Sequence, residues 1–236
     1  MSKSSMSHET DGAAGRAVGD AHRADTVIAD PPTDSRSFDQ RDSGVGQPPS
    51  SWRTVDIVVT AVIGVTFGVV FWAWNLLWSA TGPAFVAFPP AQAFMYGVWL
   101  LPAVLAPMIV RKPGAALFAE TVAALVSVLF GSPFGVAIIL YGLAQGAAGE
   151  FGFALFRYRK FTWSSALLAG LFAGAMAALL DLVLYYPTWA GTWQLTYVGL
   201  VGLSAMVIAG VGAVLLSRAV AATGALSQFA SGRTRS

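Results

Sequence analysis

Cysteine is absent from the 236 residues, and histidine occurs only at His8 and His22. A chain without thiols forms no disulfide, iron–sulfur cluster or thiolate zinc site. Both histidines precede residue 52, so the rest of the chain offers no imidazole to a metal. Charge is scarce too, at 11% of residues against ~25% in soluble domains. The motifs G-x-x-x-x-G-K-[ST], G-x-S-x-G and H-E-x-x-H do not occur. P-loop nucleotide hydrolysis, serine-elbow hydrolysis and zinc proteolysis therefore lack their usual residues. No apolar segment carries the repeated arginines of a voltage sensor. Nor do the apolar segments repeat visibly as two inverted threes, so a secondary transporter gains no support. Residues 1–51 hold no apolar run of signal-peptide length, and a cleavable leader is not expected.

What is present is apolar and unevenly distributed. Residues 1–51 carry 8 acidic and 5 basic side chains but only one aromatic, Phe38. The remaining 185 residues carry 9 basic and 4 acidic side chains and 28 aromatics. Ser, Asp, Gly and Pro dominate the first stretch, which buries too little apolar surface to offset its ordering entropy. We expect residues 1–51 to be a disordered cytoplasmic tail, 52–220 a membrane domain and 221–236 a cytoplasmic C-terminal tail. The fold class is all-α and polytopic. A soluble enzyme, a nucleic-acid binder and a wholly disordered chain are excluded for the main body.

About 20 apolar residues cross a bilayer core as a helix. Six segments qualify by pattern: 57–78, 91–110, 113–130, 136–156, 164–186 and 194–217. TGPAFVAFPP, RKPG, GSPFG, RYRKFT and YPTWAGTW separate them and carry turn chemistry. Arg53 precedes the first segment, Arg111 and Lys112 follow the second, and Arg157, Arg159 and Lys160 follow the fourth. Arg218 follows the sixth, with Arg233 and Arg235 beyond it, while the three other connections contain no Lys or Arg. The positive-inside rule then predicts six spans with both termini inside.

Small residues recur at four-residue spacing: Thr60, Gly64 and Gly68; Gly142 and Gly146; Gly170 and Gly174. In lipid such faces let helix backbones approach closely, within the bundle or against another protein. Three carboxylates fall inside segments. Glu120 lies mid-segment, Asp181 near an outer end and Glu150 in an inner half, where basic residues are near in sequence. Toward the outer ends gather Trp72, Trp74, Asn75, Trp78, Gln92, Tyr96, Tyr141, Gln145, Trp189, Trp193, Gln194 and Tyr197. Two readings stand. One is an interfacial aromatic belt with packing carboxyls. The other, which better explains the amides, is a ligand pocket open to the outside. Such a pocket holds carboxylates, amides and aromatics but no cation. It would reject phosphates and suit a neutral or cationic planar ring stacked on Trp and Tyr, with a carboxylate accepting from an amine.

The block WRTVDIVVTAVIGVTFGVVFWAWN, the motifs RKPGAALFAE and FGSPFG, and YGLAQGAAGEFGFALFRYRKF resemble the YkoE family. The resemblance covers roughly residues 52–220. Members are substrate-binding (S) components of energy-coupling factor (ECF) transporters, assigned to thiamine or its hydroxymethylpyrimidine precursor. The resemblance implies six helices with both termini inside, in the cell membrane. It also implies partnership with a membrane T component and two cytoplasmic ATPases. Its A-x-x-x-A docking pattern on the first helix corresponds here to Thr60, Gly64 and Gly68, different in type but equal in spacing. By analogy Glu120 is the amine contact. Trp72, Asn75, Trp78, Gln92, Tyr96, Tyr141, Gln145, Asp181, Trp193 and Tyr197 are the further pocket candidates.

The expected function is vitamin capture from outside without chemistry, cofactor or metal, the loop of residues 80–90 closing over the ligand. The alternatives are an S component for another neutral or cationic aromatic vitamin, a stand-alone carrier or channel using the carboxylates as a relay, and a membrane enzyme using them as acid–base groups.

Overall fold

A computed structural model describes residues 51–224 and 226. All but Ser51 of the tail expected at 1–51, and most of that at 221–236, lie outside the described residues. Among the described residues every regular element is helical. The elements are α1 (Thr54–Thr81), a 3-10 turn (Gly82–Phe85), a 3-10 helix (Pro89–Leu100) running into α2 (Leu101–Val110), α3 (Ala115–Leu129), α4 (Ala137–Ala154), α5 (Trp163–Leu184), α6 (Gly191–Ser204), a π turn (Ala205–Val211) and α7 (Gly212–Ala222). The last three form one rod, which runs two residues past the domain boundary expected at 220. Four stretches are long and apolar enough to cross a membrane: Thr54–Phe85, Pro89–Val110, Trp163–Leu184 and Gly191–Ala222. At 15 residues α3 spans only about 22 Å of a ~30 Å core, and α4 carries Gln145 and Glu150.

Local chemistry sets the helix ends. The Arg53 N–H donates to Asp56 Oδ2 at 2.9 Å, and the Arg53 guanidinium pairs with Oδ1 at 3.0 Å. An acidic group in the first turn satisfies free N–H groups and favours the helix dipole. The α2–α3 turn is RKPG. Arg111 adopts φ +57°, donating its N–H to the Pro107 carbonyl, and Gly114 takes φ +88°. That left-handed pair reverses the chain within four residues, a turn that favours glycine.

Small residues supply the interhelical faces. A Cβ added at Gly64 or Gly68 would overlap Val122 or Val126 of α3, and Thr60 is fully buried. Gly64 and Gly68 pack on α3 inside the bundle, because only residues this small let the two backbones close. Gly142 and Gly146 seat α4 on α3, and Gly170 and Gly174 seat α5 against Ala205.

Short connections run consecutive rods antiparallel, and contacts mark both ends. At one end Trp52 Nε1 donates to the Pro113 carbonyl at 3.1 Å, Arg111 lies over the Phe161 ring at 5.5 Å, and Arg218 over Trp163 at 5.0 Å. At the other, Trp78 meets Tyr96, Phe88 meets Trp193 and Tyr141 meets Tyr185. Every Lys and Arg among the described residues belongs to the first end.

Candidate functional site

The 3-10 helix builds one wall at the end without cations. With three residues per turn, side chains three apart eclipse. Its buried positions accordingly include 90, 93, 96 and 99. Tyr96 and Trp99 therefore stand in line, ring centroids 5.1 Å apart. Trp78 of α1 joins them, 4.9 Å from Trp99 and 6.0 Å from Tyr96. Asn75, one turn earlier, accepts from Trp99 Nε1 at 2.9 Å and donates to the Ser127 and Ser132 hydroxyls at 3.1 and 2.9 Å. Its amide is thus committed to holding Trp99 to α3 and the loop after it.

Glu120 of α3 forms the floor. Its Oε2 accepts from the Ala103 N–H at 2.9 Å, and no hydrogen bond reaches its other oxygen from the described residues. Ala103 lies in the first turn of α2, where the 3-10 helix gives way to the α form. A carboxylate is the natural cap there. Asp181 of α5 forms the opposite wall. Its two oxygens accept from the Tyr141 and Tyr197 hydroxyls, each at 2.6 Å. Gln145 donates to the Tyr96 hydroxyl at 3.4 Å.

Between these walls lies a cavity of about 110 Å³, roomy enough for several waters. Of the sequence candidates it is lined by Asn75, Trp78, Tyr96, Glu120, Tyr141, Gln145 and Asp181. Four candidates lie elsewhere. Trp72 turns away to Phe130, at 6.1 Å. Sharing the α1 stripe with Asn75 does not bring it into the cavity. Gln92 donates to the Trp78 carbonyl at 2.7 Å, tying the 3-10 helix to α1. Trp193 is half-exposed at the rim between Phe88 and Trp189. Tyr197 stands behind Asp181 rather than on the surface. The lining also contains Phe71, Trp99, Phe134, Ile138, Tyr185 and Tyr186, which sequence reasoning did not select. The spacing of Tyr96 and Trp99 was the available signal, and it becomes a shared face only in a 3-10 helix. Phe134 sits inside FGSPFG, read there only as a turn.

No basic side chain lines the cavity, so it carries two carboxyls against none. It can hold a planar ring against the indoles and accept hydrogen bonds from amine or cationic groups. Among the described residues no three His, Cys, Asp or Glu gather as a metal site. Glu150 lies at the basic end. There it accepts from the Ala116 N–H and the Tyr158 hydroxyl, both at 2.6 Å, rather than from a basic side chain. Burial, then this bond, pushes the Tyr158 hydroxyl above its ordinary range, so it remains a donor.

A multi-pass helical bundle with a lined cavity at its cation-free end is the architecture of a membrane protein that holds a small molecule. Residues 55–176 match the family described as the permease component of an ABC-type cobalt transport system. YkoE of Bacillus subtilis (strain 168), a protein named for HMP/thiamine permeation, is 32% identical over 188 residues, covering 78% of this chain and 92% of its own. A crystal structure of an S-component of an ECF transporter superposes with a TM-score of 0.74 at 31% identity, again over 78% and 92%. The chain belongs to this family of ECF-transporter S components: it is a multi-pass plasma-membrane transport subunit and not an enzyme.

Proposed function

We propose that this S component captures thiamine or hydroxymethylpyrimidine from outside the cell and delivers it through a T component driven by two cytoplasmic ATPases. The observation that carries the reading is the chemistry of the cavity. Trp78, Tyr96 and Trp99 form an aromatic wall, Glu120 and Asp181 supply carboxyls, and no cation is present. An aminopyrimidine offers a flat ring and an exocyclic amine, which match that wall and the Glu120 carboxyl. The name of the 32%-identical YkoE supports the same ligand class. Both cavity carboxyls already accept from backbone or tyrosine donors, an arrangement suited to an organic donor more than to a bare cation.

The proposed topology is six spans with both termini inside. α3 and α4 supply the two spans beyond the four long apolar stretches. The gathering of Lys and Arg at one end supports the orientation, which turns the cavity outward. Residues 80–90 close the entrance, Phe88 resting on Trp193 at 6.5 Å. Calorimetric titration of the purified chain with thiamine, hydroxymethylpyrimidine and riboflavin tests the reading, with Glu120→Gln in parallel. Binding of one pyrimidine, weakened by the substitution, is expected. A riboflavin signal alone would reassign the cargo, and silence from all three would overturn the capture role.

A further inference from the structure

We propose that Ser204, which lines no part of the cavity, is a positioning residue for ligand capture. It holds residues 94–97 in the 3-10 form that aligns Tyr96 with Trp99. This rests on the reading of the cavity as the vitamin site.

The 3-10 helix Pro89–Leu100 is 12 residues long. Runs beyond 3–4 residues are uncommon, because the hydrogen-bond geometry is poor. Something outside the helix must therefore hold it. The Ser204 hydroxyl accepts from the Gly97 N–H at 2.9 Å and donates to the Phe94 carbonyl at 2.8 Å. Those are the N–H and C=O, three residues apart, that a 3-10 turn pairs directly. One hydroxyl thus stitches the turn from a rod more than 100 residues away in the chain. Gly97 makes the approach feasible, since an added Cβ would overlap the Ser204 carbonyl oxygen and the Ile208 side chain. Ser204 also ends α6 where the π turn Ala205–Val211 begins. Such turns occur mostly as single departures within helices, frequently at functional sites. An over-wound and an under-wound segment therefore meet at one serine.

The consequence for the cavity is angular. Rewinding residues 94–99 as an α-helix would swing Tyr96 about 60° around the axis relative to Trp99, from eclipsed to offset. The wall that presents Tyr96, Trp99 and Trp78 together would open, and the Tyr96 hydroxyl would leave Gln145.

The test compares Ser204→Ala, Ser204→Thr and Ser217→Ala in the full chain by titration with thiamine and hydroxymethylpyrimidine and by thermal unfolding. Ser217 is a buried serine of α7 whose hydroxyl donates, among the described residues, to the Val214 carbonyl of its own helix at 2.8 Å. The expected result is a ~10-fold or greater loss of affinity in Ser204→Ala, the equivalent of one hydrogen-bonded anchor. Ser204→Thr restores binding, and Ser217→Ala binds as wild type at matched unfolding temperature. Wild-type affinity in Ser204→Ala, or equal losses in the Ser204 and Ser217 alanine variants, overturns the inference alone. Wild-type protein that binds neither pyrimidine overturns the functional reading and the inference with it. Hydrogen exchange on the wild-type chain stands independently of whether Ser204→Ala folds. Ligand should slow exchange in peptides covering both residues 94–97 and Ser204, and protection of neither overturns the inference.

Discussion

Asn75 separates a ligand contact from a scaffold. Its amide makes three buried hydrogen bonds, to Ser127, Ser132 and the Trp99 indole, joining α1 to the 3-10 helix and the α3–α4 loop. Asn75→Leu removes all three at similar volume. At the ~0.6 kcal/mol measured on average for interhelical bonds in membranes, the loss is about 2 kcal/mol. Leaving the indole N–H and two hydroxyls unpaired raises it toward about 5 kcal/mol. Converted at 2–4 °C per kcal/mol, even the lower figure shifts the unfolding temperature by about 4–8 °C. Asn75→Asp keeps an acceptor for Trp99 and lets both serines donate, so it should recover Trp99 placement better than leucine. The assay is thermal unfolding in detergent, with and without ligand. Asn75→Leu should lose stability in the empty protein, before any ligand is added. An unchanged unfolding temperature with weakened ligand binding would refute the scaffold role and return Asn75 to direct ligand contact.

Glu120→Gln keeps an oxygen for the Ala103 N–H, so the fold should persist. The charge-assisted bond to a ligand amine is lost, which predicts an affinity drop of about 10- to 100-fold by calorimetry. Gly68→Leu forces a side chain into Val126. It should destabilise the isolated chain by about 1–3 kcal/mol of overpacking, read as a lower unfolding temperature without needing a partner subunit to reveal the effect. Tyr158→Phe removes one hydrogen bond to Glu150 at the basic end. It should reduce thermal stability by about 1 kcal/mol while leaving ligand affinity unchanged in the same titration.

Much of this architecture follows from local composition. Apolar stretches separated by RKPG, GSPFG and YPTWAGTW place the rods, and the one-sided distribution of Lys and Arg distinguishes their ends. The pocket chemistry, two carboxyls amid indoles and phenols without a cation, is also readable from residue types near the cation-free ends. These properties depend on neighbours within a turn or two, so the chain carries them without reference to its fold.

The facing of side chains depends instead on partners far away. A strict α-helical spacing groups Tyr96 with Gln92, whereas the 3-10 helix turns Tyr96 and Trp99 to one side and sends Gln92 to the Trp78 carbonyl. Helical spacing likewise groups Trp72 with Asn75, yet Phe130 draws Trp72 away from the cavity. The stripe Thr60, Gly64 and Gly68 reads equally as an inner or an outer face until Val122 and Val126 of α3 pack on its glycines. Asn75 and Ser204 acquire their roles from groups 24 to 110 residues distant. Periodicity and composition are local quantities, whereas hydrogen-bond satisfaction in a bundle is long-range. Residue types and rod ends therefore belong to the sequence, and the shape of the ligand wall belongs to the packed bundle.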